Sequence, residues 1–278
     1  MKKKFKVIGV LLSAVLLIVS LIGCGGKNEN ESSIDSIKKR GTIKIGVFSD
    51  KPPFGYVDSN GENQGYDVEI AKEIAKDLFG DETKVEFVLV EAASRVEFLQ
   101  ANKVDIILAN FTVTNERKEK VDFANPYMKV ALGVVSKDGA VITDVNELKG
   151  KKLIVNKGTT ADAYFSKNYP DMELLKFDQN TEAFEALKDG RGDALAHDNT
   201  LLFAWAIENK GYTVGIKNLG DEDVIAPAVK KGDTELLNWL NDEINKLSKE
   251  GKIRSEEHTS ELQSRFDLVC RHLLEKKK

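Results

Sequence analysis

Cysteine is nearly absent from this 278-residue chain, which carries Cys24 and Cys270 and no others. With Cys24 a candidate for lipidation, Cys270 has no partner, so no disulfide framework holds the fold and its stability rests on packing. Histidine is almost as scarce. Of the three, His258 and His272 fall in an unusual tail, which leaves His197 with no second histidine or cysteine to build a catalytic triad or a metal site. A strong charge excess is lacking too: a net charge of -4 gives no reason to expect nucleic acid or an anionic surface as partner, and points to a small or neutral one. At one domain per roughly 100 to 200 residues, the length suits one large domain or two small ones.

The residues that are present begin with a targeting segment. Lys2, Lys3, Lys4 and Lys6 precede an apolar run over residues 7–22, the pattern of a signal peptide spanning 1–23. The adjoining "LIGC" looks like a bacterial lipobox, in which Cys24 becomes the lipidated first residue of the mature chain. The alternative is an uncleaved signal anchor, since the run is near the lower limit for crossing a bilayer. Either way, the polypeptide after Cys24 lies outside the cytoplasm and touches the membrane only through its anchor. The composition of "GGKNENESS" suits a flexible tether, placed over 24–40.

Between residues 42 and 252 strand and helix patterns alternate. Residues 42–48 read as a strand, and 67–79 place Val68, Ile70, Ala71, Ile74, Ala75 and Leu78 on one helical face. Strand 84–89, a helix opened by the Ser94 to Glu97 capping-box spacing, and the buried strand "KVDIILA" come next. After the extended "YMKVALGVVS", a second series runs through strand 152–155, a helix from Thr160, strand 174–177, helix 181–188, strand 193–196 and helix 200–208. The extended run at 224–233 then leads to an amphipathic helix marked by Leu236, Leu237, Leu240, Ile244 and Leu247. This alternation predicts an α/β fold of two similar lobes with mainly parallel sheets.

Parallel sheets bind ligands beyond the carboxyl ends of their strands, where backbone amides point outward unpaired. "LANFTVTNER", residues 108–117, occupies such an end: Thr112 and Thr114 offer hydroxyls, and Arg117 a planar fork suited to a carboxylate. The bland alternative is a surface helix capped by Thr114 with Arg117 solvated. "NKGTTADAY" runs from a strand through Gly158 into a helix, so amides near Thr159 and Thr160 form an anion site. "ALAHDNT" places Asp198 just after a strand, where it either holds an ammonium group or caps the next helix.

"GYDVEIAKEIA", "KVDIILANFTVTNERKEKVDFANPYM", "LKGKKLIVNKGTTADAYF" and "RGDALAHDNTLLFAW" together resemble the polar amino-acid family of periplasmic solute-binding proteins, the capture subunits of ATP-driven importers. The resemblance covers nearly all of residues 41–252. It implies a two-lobed clamshell with lobe 1 over 41–131 and 225–253, lobe 2 over 132–224, and hinge crossings near 131–135 and 224–228. It also implies that Arg117 and Thr112, with amides near Thr160, take the ligand's α-carboxylate, while the Asn110 carbonyl and Asp198 take its α-ammonium. Thr159 and Phe111 lie in the same motifs and join the candidate set. The implied partners are a free amino acid and the membrane permease, with the protein a monomer that needs no cofactor or metal.

The wording of "EAASRVEFL", "ANFTVTNER" and "HDNTLLFAW" resembles the cysteine-binding branch. Chemistry alone singles out Arg95: from the start of its helix it pairs with a side-chain carboxylate, favouring aspartate or glutamate, or else it is a helix-surface arginine. Phe54 is an apolar wall for the ligand or plain core, and Lys51 lies near the same rim. A dehydratase-like enzyme on this scaffold, and an adhesin or signalling lipoprotein, are the readings from other classes. From Arg254 the chain departs from the family: "SEEHTSELQS" looks like a reading frame of a sequencing adapter, so 254–278 is expected to be an artefact tail.

Overall fold

The computed structural model describes residues 33–253. The expected signal peptide, Cys24, the tether up to residue 32 and the tail from 254 lie outside the described residues. Helix α1 (Ser33–Arg40) corrects the rest of the expected tether, because Ile34 and Ile37 share a helical face and are buried against the first core.

Strand β1 (Ile43–Val47) is followed by a small antiparallel sheet of β2 (Asp50–Lys51), β3 (Gly55–Val57) and β4 (Asn63–Gln64). Helix α2 (Tyr66–Phe79) buries Val68, Ile70, Ala71, Ile74 and Ala75, and stops at Gly80, whose left-handed φ of 77° is a strain-free cap only for glycine. The outward pass continues through β5 (Val85–Leu89), α3 (Arg95–Gln100), β6 (Ile106–Ile107), the short α4 (Asn115–Lys118) and β7 (Val121–Phe123). A second series comprises β8 (Met128–Lys137), β9 (Lys152–Asn156), α5 (Thr160–Asn168), β10 (Glu173–Phe177), α6 (Asn180–Lys188), β11 (Ala194–Asp198), α7 (Asn199–Glu208) and β12 (Tyr212–Ile225). The chain then returns as β13 (Ala228–Lys230) and α8 (Thr234–Lys249), whose first turn is capped by Asp233 accepting from the Leu236 amide.

Two five-stranded sheets result, ordered β5-β1-β6-β13-β7 and β10-β9-β11-β8-β12. Four strands of each run the same way, as expected of mainly parallel sheets, and the strand that crosses from the other lobe runs against them. β1 runs parallel to β5 and β6, and β9 to β10 and β11. β13 is antiparallel to β6 and β7, and β8 to β11 and β12. Strands arriving from the other sheet need no crossover helix and are free to run the opposite way.

The alternation along each strand divides its side chains between two faces. Ile106 and Leu108 enter one cluster with α2 and α8, while Ile107 and Ala109 enter another with α3. The second sheet does the same: Ile154 and Leu195 pack with α6 and α7, and Leu153, Val155 and Ala196 with α5. At about 1.5 to 3 kcal/mol for each fully buried aliphatic side chain, both sheets carry their own core.

The chain passes from the first sheet to the second between Phe123 and Met128, and back between Ile225 and Ala228. Residues 131–135, expected at the first crossing, instead lie inside the second sheet, because β8 already pairs from Met128. Near the crossings Met128, Lys129 and Val130 pair with Ile225, Val224 and Asp223, and the register shifts between Leu219 and Asp223.

A candidate ligand-binding cleft between the two sheets

The carboxyl ends of β1, β5 and β6 in the first sheet and of β9 and β11 in the second meet around one space. Its lining includes Phe48, Ala92, Arg95, Asn110, Thr112 and Arg117 from the first lobe, Lys51 from the small sheet, and Thr159, Thr160, His197 and Asp198 from the second. The space is narrow: the atom-free volume is about 190 Å³ only when the part open to solvent is counted. Every lining residue lies at or just after a strand end, or at the start of the helix next in the chain, which is where unpaired amides and helix N-termini converge.

Arg117, half-buried, donates to the Thr112 carbonyl at 2.7 Å and to the Gly158 carbonyl of the other lobe at 2.9 Å. Arg95 is buried, contrary to a surface role. Its guanidinium donates to the carbonyls of Ala92, Ala109 and Asn110 at 2.9 to 3.2 Å and reaches Gly158 O at 3.3 Å. Both guanidinium groups lie on the Phe111 ring, 4.3 and 4.7 Å from its centroid. Phe111 is therefore the floor under the two cations and not part of the cavity lining. Phe54 is likewise core, packed with Val135, Leu201 and Leu202, and the apolar wall expected of it is Phe48.

Asn110 adopts a left-handed φ of 45° and is 1% exposed. Its amide donates to Asp67 Oδ2 at 2.8 Å and its carbonyl accepts from Arg95, while both side-chain polar atoms are buried without a protein partner. Asp67, in the first turn of α2, also accepts from the Tyr127 hydroxyl at 2.8 Å. Burial pushes its pKa up to about 7, against the pull of those two hydrogen bonds.

On the second lobe Thr159 caps α5: its Oγ1 accepts from the Asp162 amide and donates to the Asn156 carbonyl at 2.7 Å. That hydroxyl is committed to the helix, and the first-turn amide of Thr160 is the group directed outward. Gly158, at φ 72°, brings the lobes into close approach, since a Cβ there would lie 2.6 Å from Ala93 Cα. Asp198 pairs with Lys51 at 3.0 Å, with side chains 5% and 2% exposed. Burial alone would raise the Asp198 pKa, but the Lys51 ammonium outweighs it and holds the carboxyl far below its usual range. Burial draws the Lys51 pKa down, opposed by Asp198. His197 Nδ1 accepts the Asp198 amide at 2.7 Å, so that nitrogen bears no proton, and burial with Lys51 nearby depresses its pKa.

The structure thus gathers Lys51, Arg95, Asn110, Thr112, Arg117, Thr159, Thr160 and Asp198 in one cavity and leaves Phe54 and Phe111 behind it. Sequence reading missed Phe48, Ala92 and His197, although each lies at or just past the end of a strand and the strand-end rule that found Asn110 applies to all three. Among the described residues no group of three His, Cys, Asp or Glu side chains is arranged to hold a metal, and no helix is long and apolar enough to cross a membrane.

Two α/β lobes joined by paired crossing strands, with cations and a carboxylate from opposite lobes facing one cavity, define a solute-binding clamshell. The chain belongs to the bacterial extracellular solute-binding proteins, family 3, whose model matches residues 43–258. It is 37% identical over 262 residues to the ABC transporter glutamine-binding protein GlnH of Bacillus subtilis, covering 91% of this chain and 94% of the relative. Among solved structures it is 58% identical to a solute receptor for L-cysteine of Neisseria gonorrhoeae, with a TM-score of 0.80 and coverage of 88% of this chain and 96% of that one. A cysteine-binding protein of Campylobacter jejuni is also 58% identical, with a TM-score of 0.80 and coverage of 84% and 98%. The protein is an amino-acid solute-binding component of an ABC importer, and the dehydratase-like reading is set aside because these relatives are solute-binding proteins and receptors.

Proposed function

We propose that the protein captures free cysteine between its lobes and delivers it to a membrane permease. The observation that carries this reading is that Arg117 and Asp198, from different sheets, line the same cavity. The ligand's α-carboxylate takes the Arg117 fork with the Thr160 amide and Thr112, and its α-ammonium takes Asp198. Because these groups belong to opposite lobes, the ligand completes its hydrogen bonds only as the lobes close. The paired strands at Met128–Val130 and Asp223–Ile225, beside a register shift, are the proposed hinge, with lobes as the sequence divides them but a first boundary before Met128. Cysteine is chosen on the 58% identity to the two cysteine-receptor structures. An acidic amino acid is the second reading, favoured by Lys51 and Arg95, which leave the lining richer in cations than in carboxylates.

Lipidation of Cys24 would hold the mature chain at the outer face of the membrane as a monomer, close to the permease that recognises the closed form. Thermal-shift screening against all amino acids tests the ligand, since a molecule that binds only the folded state raises its stability. Stabilisation by cysteine ahead of other amino acids is expected, and no stabilisation by any of them would overturn the reading. Metabolic labelling with a fatty acid, lost in Cys24→Ala, tests the anchor.

A further inference from the structure

Lys51 differs from the other cations of the cleft. Arg95 and Arg117 are held by backbone carbonyls, whereas Lys51 is held by a side chain, Asp198, carried by the opposite lobe. Its ammonium is buried, 5.2 Å from the centroid of Phe48 and 5.9 Å from that of Phe54. The charged or titratable groups facing it are Asp198 and His197 from β11, Arg95 from α3 and Asp67 from α2. His197 adds no compensating charge, because its Nδ1 is already an acceptor.

A zwitterionic amino acid brings one charge of each sign. Arg117 and Asp198 match those two. Once the ligand's ammonium shares Asp198, the Lys51 ammonium is left undercompensated in a narrow, low-dielectric space, next to whatever the ligand carries beyond its α-carbon. A negative side chain restores the balance there, and a positive one adds a like charge beside Lys51 and Arg95. The unpartnered Asn110 side-chain carboxamide belongs to a residue lining the same space but is neutral, so it supplies hydrogen bonds without altering this balance.

We propose that Lys51 is the specificity-determining residue of the cleft, selecting amino acids whose side chain is an anion or ionises to one, a carboxylate or a thiolate, and rejecting cationic side chains. The inference rests on the amino-acid reading of the cleft and names the class of side chain that site accepts. For a thiol ligand, the S–H proton passes to solvent on binding and no other bond forms or breaks.

Calorimetric titration of the full chain with cysteine, serine, aspartate and arginine tests it, in the wild type and in Lys51→Gln and Lys51→Arg. In the wild type, cysteine and aspartate should bind ahead of serine and arginine, and cysteine binding should release a proton, read from buffers of different ionisation enthalpy. Lys51→Gln should shrink the preference for cysteine over arginine by roughly tenfold or more, and Lys51→Arg should keep it. A Lys51→Gln protein that binds cysteine with the wild-type preference overturns the proposal. Loss of all binding in both variants with unchanged melting also overturns it, because Lys51 is then a closure contact and no discriminator. If Lys51→Gln does not fold, a wild type that shows neither proton release nor a preference for aspartate over serine overturns it alone. Failure of the wild type to bind any amino acid strikes the proposed function instead.

Discussion

The two walls of the cleft are built differently. On the first-lobe wall, Arg95 and Arg117 take carbonyls of their own lobe and also reach the Gly158 carbonyl of the other, Phe111 supports both, and Asp67 ties the Asn110 backbone amide to Tyr127. The second-lobe wall consists of a carboxylate and a helix N-terminus, and Asp198 finds its cation across the gap. The first wall therefore keeps most of its contacts when the lobes part, while the second depends on closure. The ligand's carboxylate should dock on the first lobe, and its ammonium should draw the second lobe in.

Removing the carboxylate on which closure depends gives the largest expected effect. Asp198→Ala strands both the buried Lys51 ammonium and the ligand's own, and should cost about 3 to 5 kcal/mol of binding free energy by calorimetry. Arg117→Ala attacks the prepared wall and should cost about 2 to 5 kcal/mol, towards the lower end because Arg95 and Thr112 stay in place. Affinity unchanged in either variant would mean that the corresponding wall does not touch the ligand.

Asp67 probes the wall without touching the ligand. Its folded pKa of about 7 stands above its ordinary 3.8. Below 3.8 both folded and unfolded chains carry the proton. As pH rises towards 7 the unfolded chain ionises first, so folding takes up a proton and stability falls by up to about 1.4 kcal/mol per pH unit. Asp67→Asn should flatten that decline in denaturant titrations across this range. Glu243, raised to about 8 by burial beside Asp77, contributes in the same direction, so the readout is the difference between wild type and variant. Thr159→Ala should have the smallest effect, a loss of about 1 kcal/mol in unfolding free energy from the missing cap of α5.

The fold was legible because its signals are local. The helical face from Val68 to Ala75 and the strand "KVDIILA" show their periods within a dozen residues; the helix formed as read, and the strand formed over its centre, Ile106–Ile107. The one reversed strand of each sheet was less legible: the crossing back that carries β13 was expected, but nothing within β8 or β13 marks either as running against its neighbours. The small sheet escaped because β2 and β4 are two residues each and Pro52 and Pro53 interrupt the segment. Strand ends located most of the cavity. They did not reveal that Lys51 faces Asp198, 147 positions away, or that Arg95, a helix-start residue by sequence, turns inward onto Phe111. Such pairings depend on the tertiary fold, and no local pattern encodes them.

The narrow gap at Gly158 has a mechanical consequence. Even one methyl group on that residue would act as a doorstop against Ala93, propping the jaws ajar and parting Gly158 from Arg95 and Arg117. Such a protein would still hold an amino acid on one side, yet would never present a shut outline to any partner that waits for one.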